Sequence, residues 1–159
     1  MSRKMKVLVA VLLAVTGIVA VIHKNSQKDI PCMVIRQGDQ EISVDFSDLD
    51  RMEFSGELVD GKGTVTSHTY RGVRMKDLLS TKGMELSDIT VTSVDNYTVK
   101  FIRGEIQQEN KVYVAVTVDG EPIEGIDPGT AGVQIIVFGD PNSRRCVRYA
   151  SIIEMIPKT

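Results

Sequence analysis

From position 112 every second residue is a valine: Val112, Val114, Val116 and Val118 alternate with Tyr113, Ala115 and Thr117. Side chains of an extended chain point alternately to the two faces of a sheet, so a period of two commits this segment to a strand and excludes a helix. The same period recurs where Thr64, Thr66, His68 and Tyr70 alternate with Val65, Ser67 and Thr69, and again at Ile89, Val91 and Ser93 and at Tyr97, Val99 and Phe101. Asp95-Asn96 separates two of these strands and Asp119-Gly120 ends another. Both pairs suit the positive backbone angles of tight hairpin turns, which predicts largely antiparallel sheets. The run VQIIVF at 133–138 has almost no polar interruption and reads as a central strand covered on both faces. A last strand is expected over residues 147–156.

Helical signals are few. Ser47-Asp48-Leu49-Asp50-Arg51-Met52 opens on a good capping residue, and residues 74–82 place Met75, Leu78 and Leu79 on one face before Gly83 stops the helix. No internal repeat, low-complexity tract or heptad pattern occurs, and 159 residues, 42% of them hydrophobic and 25% charged, suit one folded domain and not two. The expected class is α+β, mainly β.

The amino end is different in kind. Residues 7–22, Val7 to Ile22, read VLVAVLLAVTGIVAVI, preceded by Arg3, Lys4 and Lys6. The run is apolar on every face, which a buried amphipathic helix would not need, so it reads as a segment that enters a bilayer. Its sixteen residues fall just under the ~17–25 of a spanning helix and at the top of the ~7–15 of a signal-peptide core. Val19-Ala20-Val21-Ile22 offers no A-x-A cleavage pattern, which favours an uncleaved anchor over a cleaved signal. The early basic cluster would stay cytoplasmic, placing the domain outside the cell membrane; secretion after cleavage is the alternative. HKNSQKD at 23–29 reads as a polar tether. The expected organisation is thus 1–28 as anchor or signal plus tether, and 29–159 as the globular domain.

Charge follows the same division. The first 28 residues hold five basic residues and no acid, leaving 14 basic residues against 21 acidic ones in the domain, a formal charge of −7. A negative body without a basic stripe argues against nucleic acid, whose binding rests on Lys and Arg displacing counterions. The two histidines, His23 and His68, cannot build an imidazole zinc site. The acids show no paired spacing for acid–base work, and the glycines at 61, 63, 129 and 132 form no phosphate loop. His68 reads as a surface or hydrogen-bonded strand residue. Cys32 and Cys146 are the only cysteines. Either they form a disulfide joining the first strand to the last, as an exported domain permits, or Cys146 is a small buried hydrophobe and Cys32 a free thiol.

Five segments in order then carry a resemblance. These are YRGVRMKDLL at 70–79, VTSVDNYTVKF at 91–101, AVTVDGEPI at 115–123, the valine-rich strand at 133–137, and CVRYASIIE at 146–154. Together they resemble the oxidoreductase molybdopterin-binding domain of the sulfite oxidase family, in its short stand-alone exported form. The resemblance implies a sulfite oxidase-like fold behind the N-terminal hydrophobic helix. In active members a cysteine about a dozen residues before the aromatic-x-Gly element ligates molybdenum, for which a soft thiolate is suited. Here Phe54 to Tyr70 contains no cysteine, Gln134 stands where the family has arginine, and Phe138 where it has proline. Arg148 keeps the basic character of the closing motif, and Arg144 and Arg145 lie beside it. The resemblance makes these three the candidate cofactor- or ligand-binding residues, with no metal ligand and no catalytic residue assigned.

The expected function is therefore a membrane-tethered extracytoplasmic module that binds a small ligand or an envelope protein, without catalysis and without a cofactor. The alternative is a molybdopterin-dependent oxidoreductase, or a subunit of one, that holds the cofactor by the three arginines alone. A structural envelope protein is a third class, for which a broad apolar patch would be expected.

Overall fold

A computed structural model describes residues 31–157. Among the described residues, ten strands form two five-stranded sheets. In chain order they are β1 (Cys32–Gln37), β2 (Gln40–Asp45), β3 (Met52–Val59), β4 (Val65–Arg74), β5 (Ile89–Ser93), β6 (Thr98–Phe101), β7 (Val112–Val118), β8 (Glu121–Pro122), β9 (Gln134–Val137) and β10 (Ala150–Met155). Helix α1 (Met75–Thr81) follows β4, and the single turn α2 (Arg103–Ile106) follows β6.

The first sheet runs β2-β1-β10-β5-β6, with β1 and β10 parallel and all other pairs antiparallel. The second runs β3-β4-β7-β8, with β9 also paired to β7. The predicted turns are present: Asn96 takes φ 66°, Asp119 φ 50° and Gly120 φ 84°. The predicted strand at 147–156 is shorter, since Tyr149 at φ 52° breaks the extended chain before β10. Val147 pairs instead with Ile135 of β9, through hydrogen bonds of 2.8 and 3.1 Å.

The fold class is corrected to mainly β: strand accounts for 48% and helix for 13%. The helix expected at 47–52 is a three-residue 3-10 turn, Phe46–Asp48. Asp45 accepts the Ser47 N–H and caps it, but Leu49 is already extended and the chain re-enters a sheet at Met52, which leaves no length for a second turn. The long apolar N-terminal helix, expected over residues 7–22, lies outside the described residues, as does the tether. No helix among those described is long and apolar enough to cross a membrane.

The principal core lies between the sheets. Ile35, Ile89, Val91 and Ile153 of the first sheet, Val114 and Ile135 of the second, and Leu79 of α1 are fully buried there. Each such side chain contributes ~1.5–3 kcal/mol of burial. A second, smaller cluster covers the opposite face of the second sheet: Phe54, Tyr70, Tyr113, Ala115, Ile123 and Ile136. That explains why β9 has no polar interruption, since Ile135 and Val137 face one cluster while Ile136 faces the other.

A β-bulge controls the second face. Arg71 pairs with Thr117 but Gly72 pairs with Ala115, so Val116 of β7 is skipped. The extra residue shifts the alternation, and both Ala115 and Val118 pack with the second cluster. Gly72 is required at this step because a Cβ there would stand 1.9 Å from the Val114 carbonyl oxygen.

Candidate functional site

The second face of the β3–β4–β7–β9 sheet is not fully covered. Beyond the aromatic cluster it opens into a cleft of about 650 Å³. Alternation delivers its lining: Thr66, His68 and Tyr70 are successive same-face residues of β4, cross-strand from Leu58, Gly56 and Phe54 of β3. Val118, Gln134, Cys146 and Arg148 complete the wall, the last two flanking Val147, which points into the principal core.

Most polar groups on this wall are already engaged. Asp60 accepts the Lys62 and Thr64 amides at 2.7 and 2.8 Å, which holds its carboxyl below the usual range. Asp95 accepts the Ser93 hydroxyl, and the Tyr97 hydroxyl donates to the Arg144 carbonyl at 2.6 Å. His68 Nδ1 lies 2.7 Å from Asp119 Oδ2, while Asp119 Oδ1 accepts the Thr69 amide at 3.0 Å. The Thr69 amide, and then His68, hold the Asp119 carboxyl below its ordinary value. Asp119 is therefore a carboxylate acceptor, and His68 meets it with Nδ1–H, leaving Nε2 for other partners.

Three groups stand apart. Tyr70 is 3% exposed and lines the cleft, yet its hydroxyl makes no hydrogen bond among the described residues. Burial, with the nearby Cys146 and Asp119, pushes its pKa up to about 12, so it is a donor at any physiological pH. The Gln134 amide is likewise without a hydrogen bond, and Arg148 forms no ion pair, among the described residues. The Arg148 charge nevertheless reaches the cleft wall, opposing the upward shifts of both Tyr70 and Cys146.

The three arginines singled out in the sequence are thus separated. Arg145 is structural: it contacts Glu105, lies 3.2 Å from Asp140, and sits 5.0 Å over the Phe101 ring. Arg144 is exposed, offers only its backbone to Tyr97, and does not line the cleft. Arg148 alone faces the cleft. Both cysteines are free thiols, Cys32 exposed at the start of β1 and Cys146 partly buried. Cys146 Sγ accepts the Val137 amide at 3.4 Å, and burial pushes its thiol above the ordinary range. Of the two residues that depart from the motif the sequence resembles, Gln134 lines the cleft, and Phe138 lies away from it over Gly56, where an added Cβ would come within 2.5 Å of the ring.

Sequence reasoning missed the Asp119–His68 pair, because Asp119 was legible only as a turn residue, 51 positions away. It also passed over Tyr70 as part of a motif. Period two could have placed Tyr70 beside His68 on one face, but not its unpartnered hydroxyl.

No family model matches the chain, and no curated protein matches it.

Proposed function

We propose that this protein is a non-catalytic binding module whose cleft takes a small anionic ligand. The observation that carries the reading is the Tyr70 hydroxyl, a donor that lines the cleft without a protein partner among the described residues and that a ligand acceptor there would meet. Arg148, which forms no ion pair among the described residues, supplies a positive charge on a wall that also holds the hydrogen-bonded carboxylates of Asp60 and Asp95, and the Gln134 amide adds donor and acceptor capacity. The apolar run at 7–22 supports work outside the cytoplasm.

The resemblance to the molybdopterin-binding domain supplies the second reading, a retained pterin cofactor whose phosphate Arg148 would meet. The donor set does not fit molybdenum ligation. Cys146 is the one thiol on the wall, and burial keeps it protonated despite the Val137 amide, which favours the thiolate; no group of three or more His, Cys, Asp or Glu that could hold a metal ion occurs among the described residues. No chemical step is derived through that group.

The test is calorimetric titration of the full-length protein with inorganic phosphate, sulfate and citrate, alongside metal and pterin analysis after production in a molybdenum-replete exporting host. Saturable anion binding that weakens in Tyr70→Phe and is lost in Arg148→Ala supports the proposal. No binding of any of the three anions overturns it, and stoichiometric molybdenum with pterin replaces it by the second reading.

A further inference from the structure

At the far side of the second sheet, β3 pairs with β4 alone among the described residues. The pairing is regular from Met52↔Gly72 to Val59↔Val65, eight consecutive pairs without a bulge. One edge of an eight-residue strand is therefore left without a neighbouring strand among the described residues. Natural edges are commonly blunted by charged side chains, proline or a bulge; β3 has no proline, lysine or bulge, and the charges it carries are the acids Glu53 and Glu57.

Beside this edge runs a groove of about 730 Å³, lined by β3 from Met52 to Glu57 and at Val59, and walled by Tyr113 and Phe138. The two faces of β3 differ in chemistry. Phe54 and Leu58 belong to the aromatic cluster, whereas Glu53, Ser55 and Glu57 are exposed on the other face. Glu53 and Glu57 enter no ion pair or hydrogen bond among the described residues. Asp140, also on the groove, is by contrast neutralised by Lys111 at 2.7 Å and Arg145 at 3.2 Å.

These acids decide the occupant. If a second copy paired its β3 antiparallel to this one about Ser55, Glu53 would stand directly opposite Glu57, twice, and like charges directly opposite destabilise a pair. A strand with basic residues on that face would gain two complementary contacts instead. We propose that the free edge of β3 docks an extended segment of a partner protein in which basic and apolar residues alternate, added to the sheet as a further strand. Its backbone would pair with β3, its Lys or Arg would face Glu53 and Glu57, and its apolar side chains would lie against Phe54 and Phe138. This docking is independent of the anion cleft.

The test uses the full-length protein and a labelled, end-blocked nine-residue peptide alternating lysine with valine, followed by fluorescence anisotropy. Two further peptides carry N-methyl groups on alternate residues, one in each register, so that each blocks one backbone edge. The expected results are saturable binding of the parent peptide and its loss with at least one methylated register. A drop of about tenfold is expected in Glu53→Gln/Glu57→Gln, with no change in Arg148→Ala. Slowed amide exchange confined to β3 would agree. The proposal is overturned by absence of binding, by equal binding of all three peptides, which would mean attraction by charge alone, or by a dimer that the double glutamine variant strengthens, which would assign the edge to a second copy.

Discussion

His68 and Asp119 are joined at 2.7 Å across the antiparallel pair of β4 and β7, although 51 positions separate them in the chain. The pair rests on the backbone, because the Asp119 carboxylate also accepts the amide of Thr69, the residue next to its partner. Asp119 holds this place at φ 50°, a conformation that Asp and Asn tolerate.

The carboxyl of Asp119 should accordingly titrate below the ~3.9 of an unperturbed aspartate. The Thr69 amide is the first cause and His68 the second. In His68→Gln the midpoint should rise yet stay below the free value, because the backbone bond persists. The folded value is depressed, so the stability this carboxylate lends is present above ~3.9 and is lost as pH falls through the folded midpoint. NMR titration of the side-chain carboxyl reads this; an unchanged midpoint in the variant would remove His68 from the account.

Gly72 carries the bulge. An alanine there would place its Cβ 1.9 Å from the Val114 oxygen and 2.9 Å from the Ala115 Cα, both backbone atoms that cannot rotate away. Gly72→Ala should therefore cost ~3 kcal/mol or more, at or above the upper end of overpacking. Gly61, whose added Cβ would meet nothing within 4 Å, is the control and should stay within ~0.5 kcal/mol in urea unfolding. Equal losses at both positions would show that backbone freedom, and not the close approach, is what Gly72 provides.

How far the sequence could be read depended on the range of the interaction. Period two is local, so the strands around Val112 to Val118, the buried run at 133–138 and the turns at Asn96 and Asp119 were legible. The capping signal at residues 47–52 is local too, but it competes with the short return to β3, and tertiary pairing confined it to a 3-10 turn. Nothing local distinguished Arg148 from Arg145. Their roles differ because Glu105 and Asp140 reach the one and not the other, from 40 and 5 positions away. Cys146 was weighed between disulfide and free thiol, and its contact with Val137 depends on a pairing of 147 with β9 that alternation alone does not predict.

The arginines therefore make a discriminating series. Arg145→Ala removes the common partner of Glu105 and Asp140, whose side chains are 13% and 11% exposed, and should destabilise by ~2–3 kcal/mol, toward the lower end for a broken buried pair. Arg144→Ala touches no side-chain contact and should stay within ~0.5 kcal/mol. Arg148→Ala should likewise leave urea unfolding unchanged while abolishing anion binding. A destabilised Arg148→Ala with anion affinity intact would place that residue in the scaffold and not in the cleft.

Two acids in the cleft wall give the alkaline limb of stability its shape. Burial raises the Cys146 thiol above its ordinary range and takes Tyr70 up to about 12. Both are groups whose neutral form the fold favours, so stability is fully present below their unfolded values, ~8.5 for cysteine and ~10 for tyrosine, and is lost as pH rises toward the folded ones. Cys146→Ser and Tyr70→Phe should each flatten part of the decline, the first beginning near pH ~8.5 and the second near ~10. At neutral pH a thiol reagent should modify exposed Cys32 promptly and the partly buried, protonated Cys146 far more slowly. Labelling of Cys146 as fast as Cys32 in the native protein would contradict the protonated state of the Cys146 thiol, and with it the argument that the cleft has no thiolate to offer a metal.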